Sequence, residues 1–246
     1  MSIPWAEFSA YVLAAFTVGL SKTSFGLGVG LVLTPILCIY LPPQFVLGIL
    51  APMMIIGDLA VVYFLWKKWD PRFFFVMIPT MAVGVVAGTM LVSQLSNQQA
   101  RIAIGVLVLL FAGYQLLTLD RKDEVIYVPP KKGIGALMGF LGGFASSTAH
   151  SGGAVVVPYF VASGLSKEGI VANTFALFAV VNWIKLGSYV GVGMVNWEII
   201  GWTLTVLPIA VLGGFAGRWV NRTVSREKFN RVVLILAIGG ALKLFF

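Results

Sequence analysis

Apolar segments recur along the whole chain, and a chain with so many of them is stable only where they are shielded from water. We recognise ten of them among the 246 residues, and 11% of the residues are charged. A soluble domain usually carries about 25% charged residues. A water-soluble fold of this length cannot cover so much apolar surface with so few polar side chains. The pattern therefore predicts a polytopic membrane protein.

The ten segments predict helices, because backbone groups in lipid must satisfy their hydrogen bonds within the segment. They cover roughly 5–20, 25–40, 45–66, 72–94, 99–118, 133–147, 151–164, 169–192, 198–220 and 229–246. The second, sixth and seventh segments are near 15 residues long, whereas a bilayer span needs about 20. We therefore expect an all-α fold with short or broken helices, or re-entrant hairpins, at the start of each half.

The chain divides into two similar halves. A first membrane repeat is predicted at 1–118, a cytoplasmic polar linker at 119–132, and a second membrane repeat at 133–246. The first repeat contains GLSKTSFGLGVGLVLTP (Gly19–Pro35), and the second contains GGFASSTAHSGGAVVVP (Gly142–Pro158). Both motifs place small and hydroxyl residues, then a glycine pair, before an aliphatic run that ends in proline.

A second pair of segments supports the duplication. PTMAVGVVAG (Pro79–Gly88) parallels PIAVLGGFAG (Pro208–Gly217), and each carries a GxxxG spacing. The alternative is that glycine and proline are simply frequent in membrane helices. Because each repeat holds five segments, an odd number, the halves are expected to enter the membrane in opposite directions, as in many secondary transporters.

Loop charge is consistent with this inverted repeat. If all ten segments cross the membrane, most basic residues lie in loops on the side of the membrane opposite the two termini. They are Lys67, Lys68, Arg72, Arg121, Lys122, Lys131, Lys132, Lys167, Arg218, Arg222, Arg226, Lys228 and Arg231. The other side holds only Arg101 and Lys243. The positive-inside rule assigns the basic side to the cytoplasm. We expect a multi-pass protein of the cell inner membrane whose two termini face the periplasm or exterior.

Four ionisable residues interrupt the apolar segments: Lys22, Asp58, His150 and Lys185. Burying a charge in the bilayer interior costs several kcal/mol, so such residues face a cavity or a partner. A functional interpretation is a pathway for substrate or protons. The structural alternative is an ion pair, such as Asp58 with Lys185, or a side chain that reaches the interface from a helix end.

The two repeated motifs have the composition of an anion site. Glycine permits breaks and close backbone approach, helix starts present free N–H groups, and hydroxyls and lysine add donors. The predicted substrate-binding residues are Lys22, Thr23, Ser24, Gly26, Ser146, Ser147, Thr148, His150, Ser151 and Gly152. Residues predicted to couple protons or to orient the site are Asp58, His150, Asn182 and Lys185. Tight helix packing through small residues is the alternative.

Cysteine and histidine each occur once, as Cys38 and His150. An internal disulfide, a paired-cysteine redox motif and a His/Cys zinc site are therefore excluded, and no cofactor or metal is expected.

The net charge of +8 is better explained by basic residues in cytoplasmic loops than by binding of nucleic acid. Ser147 and His150 share a helix face, but no third catalytic group accompanies them, so an intramembrane enzyme is the weakest hypothesis. The expected partners are a small anion, the lipid bilayer, protons as a possible coupling ion and a possible second copy of the chain.

The motifs GLSKTSFGLGVGLVLTP and GGFASSTAHSGGAVVVP resemble the duplicated signature of the sulfite exporter TauE/SafE family of membrane permeases. The resemblance extends over essentially the whole chain. It implies a secondary transporter that exports sulfite or an organosulfonate and is coupled to the proton gradient. An anion channel, or a permease for another small anion, is the alternative function.

Overall fold

The chain folds into a bundle of α-helices. The computed structural model describes residues 4–23, 29–64, 68–118, 127–129 and 131–246, and these contain eleven helices and no strand. In the first half the helices are α1 (Trp5–Thr23), α2 (Val29–Tyr40), α3 (Pro43–Phe64), α4 (Pro71–Gln94) and α5 (Asn97–Thr118). In the second half they are α6 (Lys132–Ala149), α7 (Gly153–Ala162), α8 (Lys167–Gly191), α9 (Trp197–Thr205), α10 (Leu207–Thr223) and α11 (Arg226–Lys243).

The all-α prediction is confirmed, and so are the short helices near the start of each half. Helix α2 has 12 residues and α7 has 10. The ninth predicted segment, 198–220, was wrong as a single helix, because α9 and α10 meet at a bend of 50°. Pro208 lies in the first turn of α10. It has no N–H with which to continue the hydrogen-bond ladder from α9.

Three helices in the described part of the chain are long and apolar enough to cross a bilayer. They are α4, α5 and α8, and the bent pair α9–α10 makes a fourth if it counts as one span. Shorter apolar helices pack among the others: α2 contacts α3, α5 and α11, and α7 contacts α6 and α8. The chain is therefore a multi-pass helical membrane protein whose short helices lie within the bundle.

The two halves pack against each other through pairs of helices, one helix from each half. The most extensive contacts are those of α4 with α6 and of α1 with α10. In each case the first helix of one half lies against the fourth segment of the other. Helix α3 also packs on α8, and α5 packs on α11, so corresponding helices of the two halves meet. This reciprocal arrangement supports the internal duplication that the sequence motifs predict.

Glycines allow α1 and α10, and likewise α4 and α6, to approach each other closely. A side-chain carbon at Gly213 would overlap the carbonyl oxygen of Phe16, and one at Gly84 would overlap that of Phe140. Both glycines occupy the same position in the PTMAVGVVAG and PIAVLGGFAG segments. The close approach of α10 to α1 thus has a counterpart in that of α4 to α6. The predicted role of these glycines as packing residues is consistent with these contacts.

Candidate functional site

A small polar cavity lies at the junction of the two halves. This inner cavity has a volume of about 80 Å³. Helices α1, α2 and α3 of the first half and α6, α7 and α8 of the second half contribute to its wall. Seven of the predicted site residues line it: Lys22, Asp58, Ser146, His150, Gly152, Asn182 and Lys185. Residues separated by up to 163 positions in the sequence therefore meet in one place.

The Asp58 carboxylate is the negative centre of the inner cavity. Its side chain is 0% exposed and forms an ion pair with Lys22. The amide nitrogen of Asn182 donates to its second oxygen at 2.5 Å. The ion-pair alternative considered for Asp58 from the sequence named Lys185, whereas the structure pairs Asp58 with Lys22. A carboxylate buried in this way is stabilised only as long as its partners remain.

Lys22 is held in an extended position across the cavity wall. Its aliphatic chain lies on the backbone of Gly57, where a side-chain carbon would stand 2.8 Å from Cγ of the lysine. Its Nζ is 4.9 Å from the centroid of the Phe175 ring, within the range of a cation–π interaction. Gly57 is thus required for the path that the Lys22 side chain takes to Asp58.

His150 lies in the break between α6 and α7. Its backbone has φ 49° and ψ 27°, a left-handed conformation that is unusual for a residue with a side chain. One ring nitrogen, Nδ1, is 3.0 Å from Nζ of Lys185, and the other, Nε2, is 3.2 Å from the carbonyl oxygen of Leu47. Because Lys185 can only donate, Nδ1 accepts, and Nε2 therefore carries the proton and donates to Leu47. The ring is thus assigned as the neutral Nε2–H tautomer.

Lys185 gives the inner cavity its excess of positive charge. The residue is 1% exposed, and its Nζ also donates to Oγ of Ser146 at 3.3 Å. No carboxylate of a described residue lies within 4.0 Å of this ammonium group. The cavity therefore combines two lysines with a single carboxylate that Lys22 already engages. A buried cation without a counter-ion is unfavourable, so the arrangement favours a bound anion.

Three hydroxyl residues of the second motif do not reach the inner cavity. Ser147 and Thr148 both donate to the carbonyl oxygen of Phe144, one turn back along α6. Ser151 donates to the carbonyl oxygen of Ala145. Such bonds within a helix or at its end satisfy hydroxyls that would otherwise be buried without partners. Their role in binding substrate stays a prediction.

Ser24 and Gly26 lie outside the described residues. Thr23 ends α1, and its side chain is not among those described. Of the predicted residues in this motif, Lys22 is the one that the structure places at the cavity.

Sequence reasoning missed the face that α8 turns toward the cavity. Thr174, Phe175 and Phe178 line it together with Asn182 and Lys185. Phe175, Phe178, Asn182 and Lys185 follow one another at intervals of three or four, and Thr174 precedes Phe178 by four, which places them on a single helix face. The spacing back from Lys185 was the signal that could have identified them. No group of three metal-ligating side chains occurs in the described part of the chain.

The fold and the cavity define a multi-pass helical membrane protein with a buried, lysine-lined polar site between its two halves. Residues 11–244 match the family described as sulfite exporter TauE/SafE. The chain therefore belongs to this family of membrane permeases, which export sulfite and related anions. No curated protein and no solved structure gives a significant match to the chain.

Proposed function

We propose that this protein is a secondary transporter that exports a small sulfur-containing anion, sulfite or an organosulfonate, from the cytoplasm. The observation that carries the proposal is Lys185, a buried ammonium group beside a cavity and without a carboxylate partner in the described residues. An anion in the inner cavity supplies the missing negative charge. Membership of the sulfite exporter family supports the choice of anion.

The inner cavity suits a compact oxyanion. At about 80 Å³ it has room for roughly two or three water molecules, at the share of about 30 Å³ that each takes in the liquid. Lys22 and Lys185 supply charged donors, and Ser146 supplies a neutral one. Gly152 precedes the first turn of α7, whose N-terminal N–H groups favour negative charge. The proposed binding residues are therefore Lys22, Ser146, Gly152 and Lys185, with Asp58 and Asn182 orienting Lys22.

Asp58 is the proposed proton-binding group. Protonation of its carboxylate removes the counter-ion of Lys22, which then becomes available to the transported anion. Proton and anion binding should therefore favour each other. A sulfite dianion that moves with one proton still carries net negative charge, and an interior-negative membrane potential drives it outward by about 2.3 kcal/mol per charge per 100 mV.

The membrane arrangement is also part of the proposal. We place the first repeat, 1–118, and the second, 133–246, in opposite orientations in the cell inner membrane, with both termini on the periplasmic side. The exchanged packing of α1 with α10 and of α4 with α6 supports two equivalent halves. The excess of basic residues in loops on one predicted side supports their orientation.

Transport in proteoliposomes tests the proposal. The purified protein is supplied with sulfite, thiosulfate, sulfate and a small alkyl sulfonate in counterflow experiments. We expect saturable counterflow of at least one sulfur anion, and loss of that flux in Lys185→Met. Lys243→Met, at an exposed lysine near the end of α11, is the matched control and should transport normally.

Two outcomes would contradict the proposal. One is wild-type protein that exchanges none of the four anions. The other is Lys185→Met protein that transports as well as the control. Flux that does not saturate and shows no counterflow would favour the channel alternative, because a channel has a continuous wetted pore.

A further inference from the structure

A second and larger cavity, which we call the outer groove, lies between α1 and α10. Its volume is about 300 Å³, and α3 and α9 complete its wall. The wall is apolar except at Thr203, whose hydroxyl donates to the carbonyl oxygen of Ile199, and at two ionisable residues, Lys22 and Arg218. Val211 and Phe215 on its rim are 55% and 65% exposed, so the groove opens to the surface. This groove is separate from the inner cavity, and the sequence motifs did not predict it.

The two cations stand at opposite ends of the groove. Gly19 of α1 lies against Ala210 of α10, and Phe16 lies against Gly213, so the two helices run antiparallel. Lys22 is therefore level with the start of α10, whereas Arg218 lies toward its end. At a rise of 1.5 Å per residue the two positions are separated by roughly 16 Å along the helix axis. The groove thus leads from a basic surface position to the inner site.

Lys22 is shared by the outer groove and the inner cavity. Its chain lies across Gly57, which also lines the groove, and its ammonium group reaches Asp58 in the inner cavity. The Lys22 side chain therefore forms part of the wall between the two spaces. A rotation of Lys22 away from Asp58 would turn its charge toward the groove.

The equivalent space in the other pair of helices is filled. Met81 and Val85 of α4 correspond in the repeated segments to Ala210 and Gly214 of α10, and both are 0% exposed. Thr89, which follows Gly88 as Arg218 follows Gly217, is buried as well. Larger side chains on α4 thus occupy the volume that small residues on α10 leave open. The position between α1 and α10 therefore holds the open groove, which shares Lys22 with the inner cavity.

We infer that the outer groove is the path by which the transported anion reaches the inner cavity, with Arg218 attracting it at the mouth and Lys22 passing it inward. The inference rests on the proposed transport function and adds the route and the side of access. Charge complementarity determines the occupant, since the groove has a cation at each end and no carboxylate among its lining residues.

Thiol labelling tests the route. In a Cys38→Ser background, Val211→Cys places a thiol on the groove, and Val85→Cys places one at the filled position between α4 and α6. The reagent is an anionic methanethiosulfonate, and the transported probe is sulfite in proteoliposomes. We expect labelling of Val211→Cys to reduce sulfite flux at least five-fold, added sulfite to slow that labelling, and Val85→Cys to remain unlabelled.

A second pair of variants tests the mouth of the groove. Arg218→Gln should raise the KM for sulfite about five-fold with little change in kcat, and the effect should shrink at high salt, because screening weakens attraction between exposed charges. Arg222→Gln, one turn further along α10 and outside the groove, is the control and should retain the wild-type KM.

The outcomes separate the route from the function. Wild-type flux that persists after complete labelling of Val211→Cys, together with an unchanged KM in Arg218→Gln, would overturn the route and leave the transporter proposal intact. Labelling of Val211→Cys by an apolar maleimide alone would also overturn it, since the groove would then hold a lipid chain. Absence of flux in wild-type protein would contradict both proposals.

Discussion

The ring of His150 joins three parts of the bundle, because Nδ1 lies 3.0 Å from Nζ of Lys185 and Nε2 lies 3.2 Å from the carbonyl oxygen of Leu47. Leu47 belongs to α3, Lys185 belongs to α8, and His150 itself lies in the break between α6 and α7. With both ring nitrogens engaged, the neutral ring positions Lys185. This arrangement makes Asp58 the better candidate for proton coupling, although the sequence suggested either residue.

The left-handed backbone of His150 predicts a difference between two substitutions. His150→Ala and His150→Gly both remove the hydrogen bond to Lys185, but glycine adopts φ 49° without strain. We expect His150→Gly to be more stable than His150→Ala by about 1 kcal/mol, since the left-handed region costs a residue with Cβ roughly that amount. Thermal unfolding in detergent measures the difference. Equal stability of the two variants would show that the backbone is not held in this conformation.

The buried ion pair predicts that Lys22→Met is destabilising. The variant leaves the Asp58 carboxylate without its charged partner, and breaking a buried pair costs about 3 kcal/mol. The double variant Lys22→Met/Asp58→Asn should recover most of that loss, because neither charge remains. The control is Lys68→Met: Lys68 pairs with Glu168 at the surface, where the side chains are 51% and 62% exposed. Its loss should cost less than about 1 kcal/mol. Similar losses for Lys22→Met and Lys68→Met in chemical unfolding would contradict the buried pair.

Asp58→Asn tests the link between protons and transport. Asparagine has nearly the same shape but cannot bind a proton, and it leaves Lys22 permanently without a counter-ion. Counterflow of a sulfonate, an anion that stays fully charged at neutral pH, should persist, while its dependence on pH should be lost. Flux measured in proteoliposomes at several pH values, with Asn182→Ala as a variant that keeps the carboxylate, tests the link. A wild-type pH profile in Asp58→Asn would move the coupling role to another residue.

Much of the helical layout could be predicted from the sequence, because apolar segments in lipid have few alternatives to helices. The predicted segment 72–94 corresponds to Pro71–Gln94, and 169–192 corresponds to Lys167–Gly191. The bend between α9 and α10 was missed, since the segment 198–220 is apolar throughout and Pro208 alone signals the break. The packing of α1 on α10 was not accessible either, because it depends on contacts between distant parts of the chain.

The site could be predicted in composition but not in pairing. Ionisable residues within apolar segments were sufficient to single out Lys22, Asp58, His150 and Lys185, because a charge in the bilayer interior is unfavourable unless a partner or a cavity stabilises it. Which lysine pairs with Asp58 depends on the angles at which α1, α3 and α8 cross. The sequence pattern of a single helix does not determine those angles. In the hydroxyl-rich motif Ser147 donates to a carbonyl of its own helix, and the sequence does not show which hydroxyls are satisfied in this way.

Asp70 predicts a contribution to stability that depends on pH. It caps α4 by accepting from the backbone N–H of Arg72, and the Arg72 guanidinium that also binds it lowers the pKa of its carboxyl below the ordinary 3.8. A lowered pKa means that the folded state favours the charged form. The stabilisation is therefore complete above the unfolded-state value and is lost as the pH falls through the folded-state value.

Two substitutions separate the cap from the charge at this position. Asp70→Ala should lower the free energy of unfolding by about 1 kcal/mol at neutral pH through loss of the cap. Asp70→Asn keeps a capping oxygen but cannot titrate, so its stability relative to wild type should improve as the pH falls below 3.8. Unfolding curves at several acidic pH values measure both effects. A constant difference between Asp70→Asn and wild type throughout would show that the carboxylate contributes nothing through its charge.

Close packing of α1 against α10 predicts opposite effects for two glycine substitutions. A methyl group at Gly213 would overlap the carbonyl oxygen of Phe16, so Gly213→Ala must push the two helices apart. Overpacking of this kind costs about 1–3 kcal/mol. Gly239, within α11, has open space around the position of a new methyl group. Gly239→Ala should therefore stabilise the protein by up to about 1 kcal/mol, because alanine is the better helix former. Thermal unfolding of both variants in the same detergent compares them directly. Equal tolerance of alanine at the two positions would mean that α1 and α10 do not approach each other at Gly213.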